Sequence, residues 1–504
     1  MNTLAEPLPA PGRYSILAAI CLAALVLPMS FTGGAVATPF IGQAFDARPT
    51  ELAWITNAFM LSFGSLLMAA GTLADLYGRK RLFLWGMALF ALVSLLLAVA
   101  PGIFWLDTLR AVQGVAAATA LSSGCAALAQ EFEGHARTRA FSLLGTTFGA
   151  GLAFGPLLSG LLIEHSGWRA IFLSTALLAG ISLLFAAPTM RESRDPQALR
   201  LDTGGVLTFS GLLVTFTTAV ILAPEHGWAS PLIVSLLVAA VVFLLVFIVI
   251  ENRSKQPMLE LQLFLFPRFV GVQILPIGTC YCYIVLIVLL PLRFIGVEGA
   301  SALDAGLMML ALSAPMLVVP MIAAAMTRWL PAGTLCAIGL LIAAAGLYWL
   351  STVNVGDQWQ IIGAMLLTGI GTGLPWGLMD GLAISVIPKE RAGMAAGIFN
   401  TTRVASEGVA LAITAAVLST LVAHHLRGSV PAADLSSIAQ GLVMGDIQHA
   451  SAAVPVEVLR TAYTAGFNTL LQLLAGFTLL TATVVFLFLG RRSVMPVPAI
   501  QSLT

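Results

Sequence analysis

The sequence predicts an all-α polytopic membrane protein with about fourteen spanning helices. Three observations carry this expectation. First, 59% of the 504 residues are hydrophobic and 9% are charged, whereas a soluble domain carries roughly 25% charged residues; mean hydropathy is +0.97. Second, apolar stretches of about 20 residues, the length that crosses a bilayer's hydrocarbon core, follow one another with only short polar interruptions. Third, the cations in those interruptions are crowded on alternate sides, the asymmetry that membrane topology imposes.

The first stretch, 15–37, follows Arg13 and ends near Ala35-Val36-Ala37, which imitates a secretion cleavage site. Its apolar run is too long for a signal core and is broken by Pro28, so it reads as a retained first span. Spans at 52–74 and 82–101 flank a cation-rich turn, and the fourth, 103–129, carries Asp107 and Arg110. The fifth, 139–163, holds a run of spaced glycines; the sixth, 168–188, opens on Gly167-Trp168-Arg169. A pair at 204–224 and 231–251 comes next, then 269–293, 303–326, 333–351, 360–387 with Asp380, and 392–423 with Arg403 and Glu407. The longest polar stretch, 424–461, with Asp434, Asp446 and Glu457, precedes the last span, 463–490, and is too short for an independent domain.

Orientation follows from the cations. With the N-terminus inside, the cytoplasmic side collects Arg13, Arg79, Lys80, Arg81, Arg137, Arg139, Arg191, Arg194, Arg200, Arg253, Lys255, Arg268, Arg328, Lys389, Arg391, Arg491 and Arg492, and the outside only Arg48, Arg169, Arg293, Arg427 and Arg460. Both termini are therefore expected in the cytoplasm of a cell whose inner or plasma membrane holds the chain. The expected organisation is a cytoplasmic N-terminus (1–14), an N-terminal six-helix bundle (15–188), two additional transmembrane helices with their linkers (189–268), a C-terminal six-helix bundle (269–490) with an outer loop (424–461), and a cytoplasmic tail (491–504). The loop Pro388-Lys389-Glu390-Arg391-Ala392-Gly393 weakly echoes Glu133-Gly134-His135-Ala136-Arg137, compatible with two related halves.

Composition also excludes function classes. With 24 Lys+Arg against 23 Asp+Glu the net charge is +1, so there is no basic face for nucleic acid. Cys21, Cys125, Cys280, Cys282 and Cys336 all lie in apolar stretches, where neither a disulfide framework nor a hydrated metal site is expected. Adjacent His424 and His425 fall on different faces of a helix, and no second pair supports a metal. No glycine-lysine phosphate loop supplies ATP binding, and no nucleophile–His–acid arrangement suggests an enzyme.

Between the second and third spans stands Gly71-Thr72-Leu73-Ala74-Asp75-Leu76-Tyr77-Gly78-Arg79-Lys80-Arg81. Gly71 would let two helices approach closely, Asp75 would accept from the N-terminus of a neighbouring helix, and Gly78 would permit a tight turn. This segment resembles the signature loop of the major facilitator superfamily. Arg110, Gln113 and Gly114 resemble its buried Arg-x-x-Gln-Gly motif, with the i, i+3 spacing that puts both polar side chains on one helix face. Gly151-x-x-x-Gly155-Pro156-x-x-Ser159-Gly160 resembles the motif of its antiporters, with Ser159 where a glycine is usual.

The fourteen spans, the Gly167-Trp168-Arg169 opening and the long outer loop resemble the fourteen-spanner drug:proton antiporter branch. The resemblance implies a major facilitator fold of two six-helix bundles plus two extra central helices, a midplane cavity and alternating access by rocking of the bundles. It also implies that the fifth helix bends at Pro156 and seals the halves together as a gate and leak barrier. One departure stands out: where the branch carries a first-helix acid followed by Thr and Asn before a Pro, this chain has Ser30, Thr32 and Ala35.

Ionisable side chains cost about 2.5 to 3.5 kcal/mol each in the membrane on insertion scales, and mark function by default. Five are expected there: Asp107, Arg110, Asp380, Arg403 and Glu407. Three acids against two permanent cations leave one carboxylate in surplus, as a proton-coupled machine requires. Asp107–Arg110 at i, i+3 and Arg403–Glu407 at i, i+4 could instead pair on their own helices, while Asp380 has no cation within a turn. For Arg110 the resemblance implies a part in proton transfer or in holding the carboxylate that performs it. Tyr281, Tyr283, Trp376, Asn400 and Met308 offer aromatic, amide and thioether surface for a bulky solute, and equally suit plain helix packing.

The function expected is a proton-coupled efflux transporter exporting lipophilic or amphipathic compounds, cationic ones included, with the proton gradient and no cofactor as its energy source. Its partners would be the lipid bilayer, protons and the small-molecule substrate, with a periplasmic adaptor left open. Two alternatives stand beside it: a specific metabolite or siderophore exporter, and a non-transporting sensor or scaffold of the same fold.

Overall fold

The structure of the protein is a computed structural model describing residues 13–132, 134–194, 201–254, 257, 259, 261–353, 356–386, 392–431, 434–451 and 454–490. Both terminal segments, the echoing loop at 388–391, and the cations Arg200, Lys255, Lys389, Arg391, Arg491 and Arg492 lie outside the described residues. Among those described there is no strand, only one isolated bridge between Arg427 and Val430.

Fourteen described helices are long and apolar enough to cross a membrane: α1 (Arg13–Phe45), α2 (Pro49–Tyr77), α3 (Arg79–Ala98), α4 (Ile103–Glu131), α5 (Arg139–Ser166), α6 (Arg169–Thr189), α7 (Thr203–His226), α8 (Pro231–Arg253), α9 (Pro267–Val297), α10 (Ala302–Met326), α11 (Ala332–Thr352), α12 (Gln358–Ala383), α13 (Gly397–Leu426) and α14 (Val456–Leu489). Helices α1–α6 pack on one another, chiefly α1 on α5 and α6, α2 on α4, and α3 on α4 and α6. Helices α9–α14 form the second bundle, with α11 between α12 and α14. Small residues permit the tight pairs: a Cβ on Gly114 of α4 would run into Phe59 O and Ser62 of α2, and one on Gly346 of α11 would meet Ala364 O of α12 at 3.0 Å.

The pair α7 and α8 is central in the chain but peripheral in space. Helix α8 has the highest hydropathy of the fourteen, 3.5, with only 17% of its apolar window buried, whereas α9 is 89% buried. A helix that is apolar all round and exposed has lipid as its solvent, and Val238, Val241, Leu245 and Val249 form that exposed face. Helix α7 packs inward against both α2 and α13, one from each bundle.

Three spans are irregular. Helix α9 carries wide π-turns at Cys280–Ile284 and Leu292–Val297. In α10 the regular helix stops at Ser313 and resumes at Pro315, whose ring removes an N–H donor. In α12 it stops at Trp376 after Pro375 and resumes at Met379.

The 424–461 stretch differs from the polar loop expected. It contains helices Leu435–Val443 and Ile447–Ser451, with Ala439, Gln440, Gly441, Leu442 and Val443 buried. Helix α14 then begins at Val456 rather than 463, because Leu459 and Tyr463 at i, i+4 supply a buried stripe beneath Glu457 and Arg460. We term the end of the bundle carrying this stretch the loop face.

The two bundles meet along a seam formed by α5 with α10 and α2 with α13. Near the loop face a Cβ on Gly306 of α10 would lie 2.9 Å from Leu157 Cα, and one on Gly160 of α5 would strike Ala302 O. Further in, a Cβ on Gly64 of α2 would lie 2.9 Å from Ala405 Cα, whereas at Gly397 the nearest side chain, Met68, stands at an ordinary 3.8 Å. The seam is thus closed at the loop face and loosens toward the opposite end.

Candidate functional site

The membrane-embedded charges are distributed differently from either local pairing that the sequence left open. Arg403 of α13 does not neutralise Glu407 on its own helix; its guanidinium stands 3.5 Å from the Asp380 carboxylate of α12. The break in α12 at Gly377–Leu378 precedes Asp380 by one turn or less, so the cation that Asp380 lacked along its own helix comes from the neighbouring one. The pair is unequal: the Asp380 side chain is 54% exposed and that of Arg403 10%.

Aromatic rings surround this pair. The Arg403 guanidinium carbon lies 5.9 Å from the Trp376 ring centre, 5.6 Å from Phe148 of α5 and 5.9 Å from Phe399, within cation–π range. Tyr283 of α9 stands 6.0 Å from Trp376. Residues of both bundles therefore converge here. Of the expected cavity set, Trp376 and Tyr283 join this cluster, Tyr283 from a fully buried position behind the tryptophan. Asn400 lies one turn before Arg403 on the same face of α13. Tyr281 does not join; its ring packs 4.6 Å from Phe477 of α14. Met308 is half-buried against the core. Phe148 and Phe399 carry no sequence signal that separates them from ordinary core aromatics.

Glu407 sits one turn beyond Arg403 and is 4% exposed, with no cation within ion-pair distance among the described residues. The surrounding stretch of α13 bears on two other helices. Cys280 of α9 points its Sγ at Ser406 O, 3.7 Å away, and a Cβ on Gly408 would lie 3.2 Å from Met60 Cβ of α2. Among the described residues Asp380 therefore has an ion-pair partner, whereas neither Glu407 nor Asp107 has one.

Arg110 is fully buried and ties three helices together. Its Nε donates to Ile55 O of α2 at 2.8 Å, and one terminal nitrogen donates to Ser30 Oγ of α1 at 3.1 Å and to Gln113 Oε1 at 2.6 Å. Gln113 passes the connection on, its Nε2 donating to Ser94 Oγ of α3 at 2.8 Å. The guanidinium also stands 4.5 Å over the Phe59 ring. Asp107 makes no ion pair with it; that carboxylate is half-buried with Oδ1 unpartnered among the described residues. Ser30, the residue in place of the usual first-helix acid, is therefore the side chain of α1 that Arg110 touches.

In α5 the spaced glycines face two ways. Cβ atoms on Gly151 and Gly155 would strike Leu25 O and Thr32 Oγ1 of α1, while Gly160 and the Pro156 carbonyl face Ala302 and Gly306 of α10. Helix α5 is wedged between its own bundle and the other one, and it stays helical through Pro156. We expect Gly160→Leu to prevent closure of the loop-face seam, because its nearest neighbour is backbone that has nowhere to retreat; transport should fall at least tenfold, read as cellular efflux with membrane insertion checked by immunoblot.

The Gly71–Arg81 loop is held by its own charges. Gly78 adopts φ 118°, the positive-φ turn expected of it. Asp75 accepts from the side chain of Arg79, the first residue of α3, through Nε at 2.9 Å, and Arg79 also donates to Gln130 Oε1 of α4 at 2.7 Å. Lys80 N donates to Glu192 beyond α6 at 3.2 Å. Gly71 has room to spare, its added Cβ meeting only Ser122 Cβ at 3.8 Å.

Among the described residues two buried charges escaped the sequence reading: Glu251 of α8, 4% exposed and accepting from Leu259 N at 3.0 Å, and Arg293. Arg293, expected in an outer loop, is 3% exposed at the end of α9 and pairs with Glu298 at 2.7 Å. Arg460 of α14 donates to Val297 O at 3.0 Å, so two cations meet the carbonyl end of α9, where the helix dipole favours them.

Comparison with known proteins agrees with this architecture. The chain is 31% identical to the multidrug resistance protein Stp of Mycobacterium tuberculosis (strain CDC 1551 / Oshkosh), covering 79% of this chain and 75% of that protein. It is 32% identical to the puromycin resistance protein pur8 of Streptomyces alboniger, covering 86% and 88%, and 29% identical to the methylenomycin A resistance protein of Streptomyces coelicolor (strain ATCC BAA-471 / A3(2) / M145), covering 81% and 88%. Among solved structures, a bacterial homologue of the human lysosomal transporter Spinster, inward-facing and occupied, superposes with a TM-score of 0.65 at 14% identity over 95% of this chain and 97% of that one, a likeness of fold. The model of the Major Facilitator Superfamily matches residues 19–411, and with two six-helix bundles, a glycine-sealed seam and a charge cluster between them, the chain belongs to that superfamily.

Proposed function

We propose that the protein is a proton-coupled drug efflux transporter, exporting lipophilic or amphipathic compounds by alternating access from a cell's inner or plasma membrane. The observation that carries this reading is Glu407: a carboxylate 4% exposed, without an ion-pair partner among the described residues, on the helix that forms one side of the seam. The next residue, Gly408, faces Met60 of α2, and in this reading rocking of the bundles alternately hides and hydrates the carboxylate. The resistance and export names of relatives over most of the chain support the same direction of transport.

Cargo enters beside Asp380, the half-exposed member of the ion pair, with Trp376 and Phe148 offering flat apolar surface. A cationic amphiphile would compete with Arg403 for that carboxylate. Arg110 anchors α1, α2 and α4 as one body, and the loop face lies outside, with both termini in the cytoplasm. That methylenomycin A and puromycin each name a relative favours a narrow cargo range as a second reading.

Inverted vesicles containing the protein and energised with a proton gradient should release protons when cargo is added, and a panel of drugs and dyes on cells with and without the chain should identify that cargo. A panel without any gradient-dependent response would overturn proton-coupled efflux.

A further inference from the structure

A cavity of about 70 Å³ lies at the loop face between the end of α9 and the start of α14. Arg293, Val297 and Glu298 line it from one side and Arg460, Tyr463 and Thr464 from the other. None of these residues belongs to the Arg403 cluster or to the Arg110 network, and both walls come from the second bundle rather than from the seam. The nearest member of the cluster along α9, Tyr283, precedes Arg293 by ten residues, roughly 15 Å at 1.5 Å per residue. One water needs roughly 10 to 15 Å³, so the space takes a few waters or one small ion and excludes anything of drug size.

Hydrogen-bond donors are in surplus around this cavity. Arg293 is almost wholly buried; its Nε donates to Glu298 Oε1 at 2.7 Å, and its terminal nitrogens make no hydrogen bond among the described residues. Arg460 Nε donates to Val297 O at 3.0 Å and one terminal nitrogen reaches Glu298 O at a long 3.5 Å, while the other makes no hydrogen bond among the described residues. Tyr463 is fully buried, and its hydroxyl has no partner among the described residues. Packing fixes these donors in place, for Phe467 lies 4.9 Å from the Arg293 guanidinium carbon and stacks on the Tyr463 ring at 5.8 Å. The acceptor side is held by Glu298 alone, already engaged by Arg293, so two guanidiniums and one carboxylate leave the lining with a formal charge of +1.

We propose that this cavity is a binding site for a small monovalent inorganic anion of chloride size, held by Arg293, Arg460 and the Tyr463 hydroxyl. Guanidinium N–H groups enclosed without acceptors are costly, and an anion supplies the missing acceptor while bringing the charge of the lining to zero. A divalent oxyanion would instead leave the cavity negative beside Glu298, and a cation would face two guanidiniums. The bound ion ties the end of α9 to α14 next to Gly296, where an added Cβ would strike Gly445 of the loop-face stretch, so occupancy braces the point at which that stretch packs on α9. The site itself does not depend on the efflux reading; only its placement on the outside of the cell does.

The test uses the full chain in a non-ionic detergent, with sodium chloride replacing sodium gluconate at constant ionic strength. Chloride NMR line broadening should show saturable binding, and the thermal unfolding midpoint should rise over the same concentration range. Tyr463→Phe keeps the ring stacked on Phe467 and removes only the hydroxyl; it should weaken chloride about tenfold, the low end of what a hydrogen bond to a charged partner contributes. Arg460→Gln should abolish saturable binding, because it takes the charge of the lining to zero. In gluconate alone Tyr463→Phe should unfold at or above the parent midpoint, since it removes a buried hydroxyl that has no partner, so its loss of chloride response is not a folding defect. Arg328→Gln, at the opposite end of the second bundle, should leave chloride binding unchanged.

Equal line widths and midpoints in chloride and gluconate would mean a cavity that holds water only, and would overturn the site. Saturable binding that survives both Tyr463→Phe and Arg460→Gln would place the ion elsewhere and overturn the assignment to these residues. Sulfate that displaces chloride at lower concentration than chloride itself requires would overturn the choice of a monovalent ion. These readouts use neither cargo nor a proton gradient, so failure of proton-driven efflux would bear on the proposed function and leave them unaffected.

Discussion

Glu407→Gln is expected to bring proton-driven efflux down to background while the protein folds and inserts normally. Glutamine keeps the shape and hydrogen-bonding capacity of the carboxyl group but carries neither its charge nor its exchangeable acid proton. Burying an unpaired ionised carboxylate is costly, and Glu407 is 4% exposed with no cation within ion-pair distance among the described residues. The variant removes that cost, so thermal stability in detergent should stay level or rise. The informative comparison is energised uptake into inverted vesicles against cargo exchange without a gradient: the first should vanish and the second persist. Normal gradient-driven transport by Glu407→Gln would remove this residue from the coupling step and make Asp107, whose Oδ1 is also unpartnered, the leading candidate.

The second large effect concerns Arg110. Arg110→Met should abolish transport and lower stability by about 1.5 to 3 kcal/mol for each hydrogen bond to the charged group that it removes. The guanidinium serves α2 through Ile55 O, α1 through Ser30 and its own helix through Gln113 at once. Its removal leaves Gln113 Oε1 without its donor and a void between Phe59 and Gly34. Arg110→Lys should fail nearly as badly, since an ammonium lacks the planar fork that reaches Ile55 and Ser30 together. Ser30→Asp is the contrasting variant. It places an acid 3 Å or so from a buried guanidinium (Ser30 Oγ is at 3.1 Å), so it should be tolerated and should raise thermal stability, read as a higher unfolding midpoint in detergent. A clearly less stable Ser30→Asp protein would contradict the Arg110 geometry.

These variants fall on residues of two kinds. Arg110, Gln113 and Gly114 were legible in the sequence, because a charged residue in an apolar helix is conspicuous and its i, i+3 spacing alone places Gln113 beside it. Their partners were not: Ile55, Ser30 and Ser94 come from three other helices, and Ser30 stood out only as a departure from the resembled pattern, with nothing tying it to Arg110. The same holds for Arg403. Along the chain its natural partner is Glu407 at i, i+4, and in the structure Asp380, just past the break in α12, stands 3.5 Å away instead. At Gly71 small-residue spacing allows a close approach without requiring one: the nearest atom to an added Cβ is Ser122 Cβ of α4, at an ordinary 3.8 Å.

Composition and periodicity by themselves determined the solvent, the number of spans and the list of charges that must be accounted for, because lipid leaves few alternatives to an apolar helix of fixed length and makes every embedded charge visible. Only the tertiary structure decided which of those charges are paired, which glycines touch backbone, that α8 faces lipid while α9 is enclosed, and that the 424–461 stretch packs as helices over the loop face. The physical reason is range: helix length and hydropathy are properties of neighbours in the chain, whereas neutralising Asp380, isolating Glu407 and closing the seam depend on contacts between helices that are separated in the chain and meet only when the bundles pack.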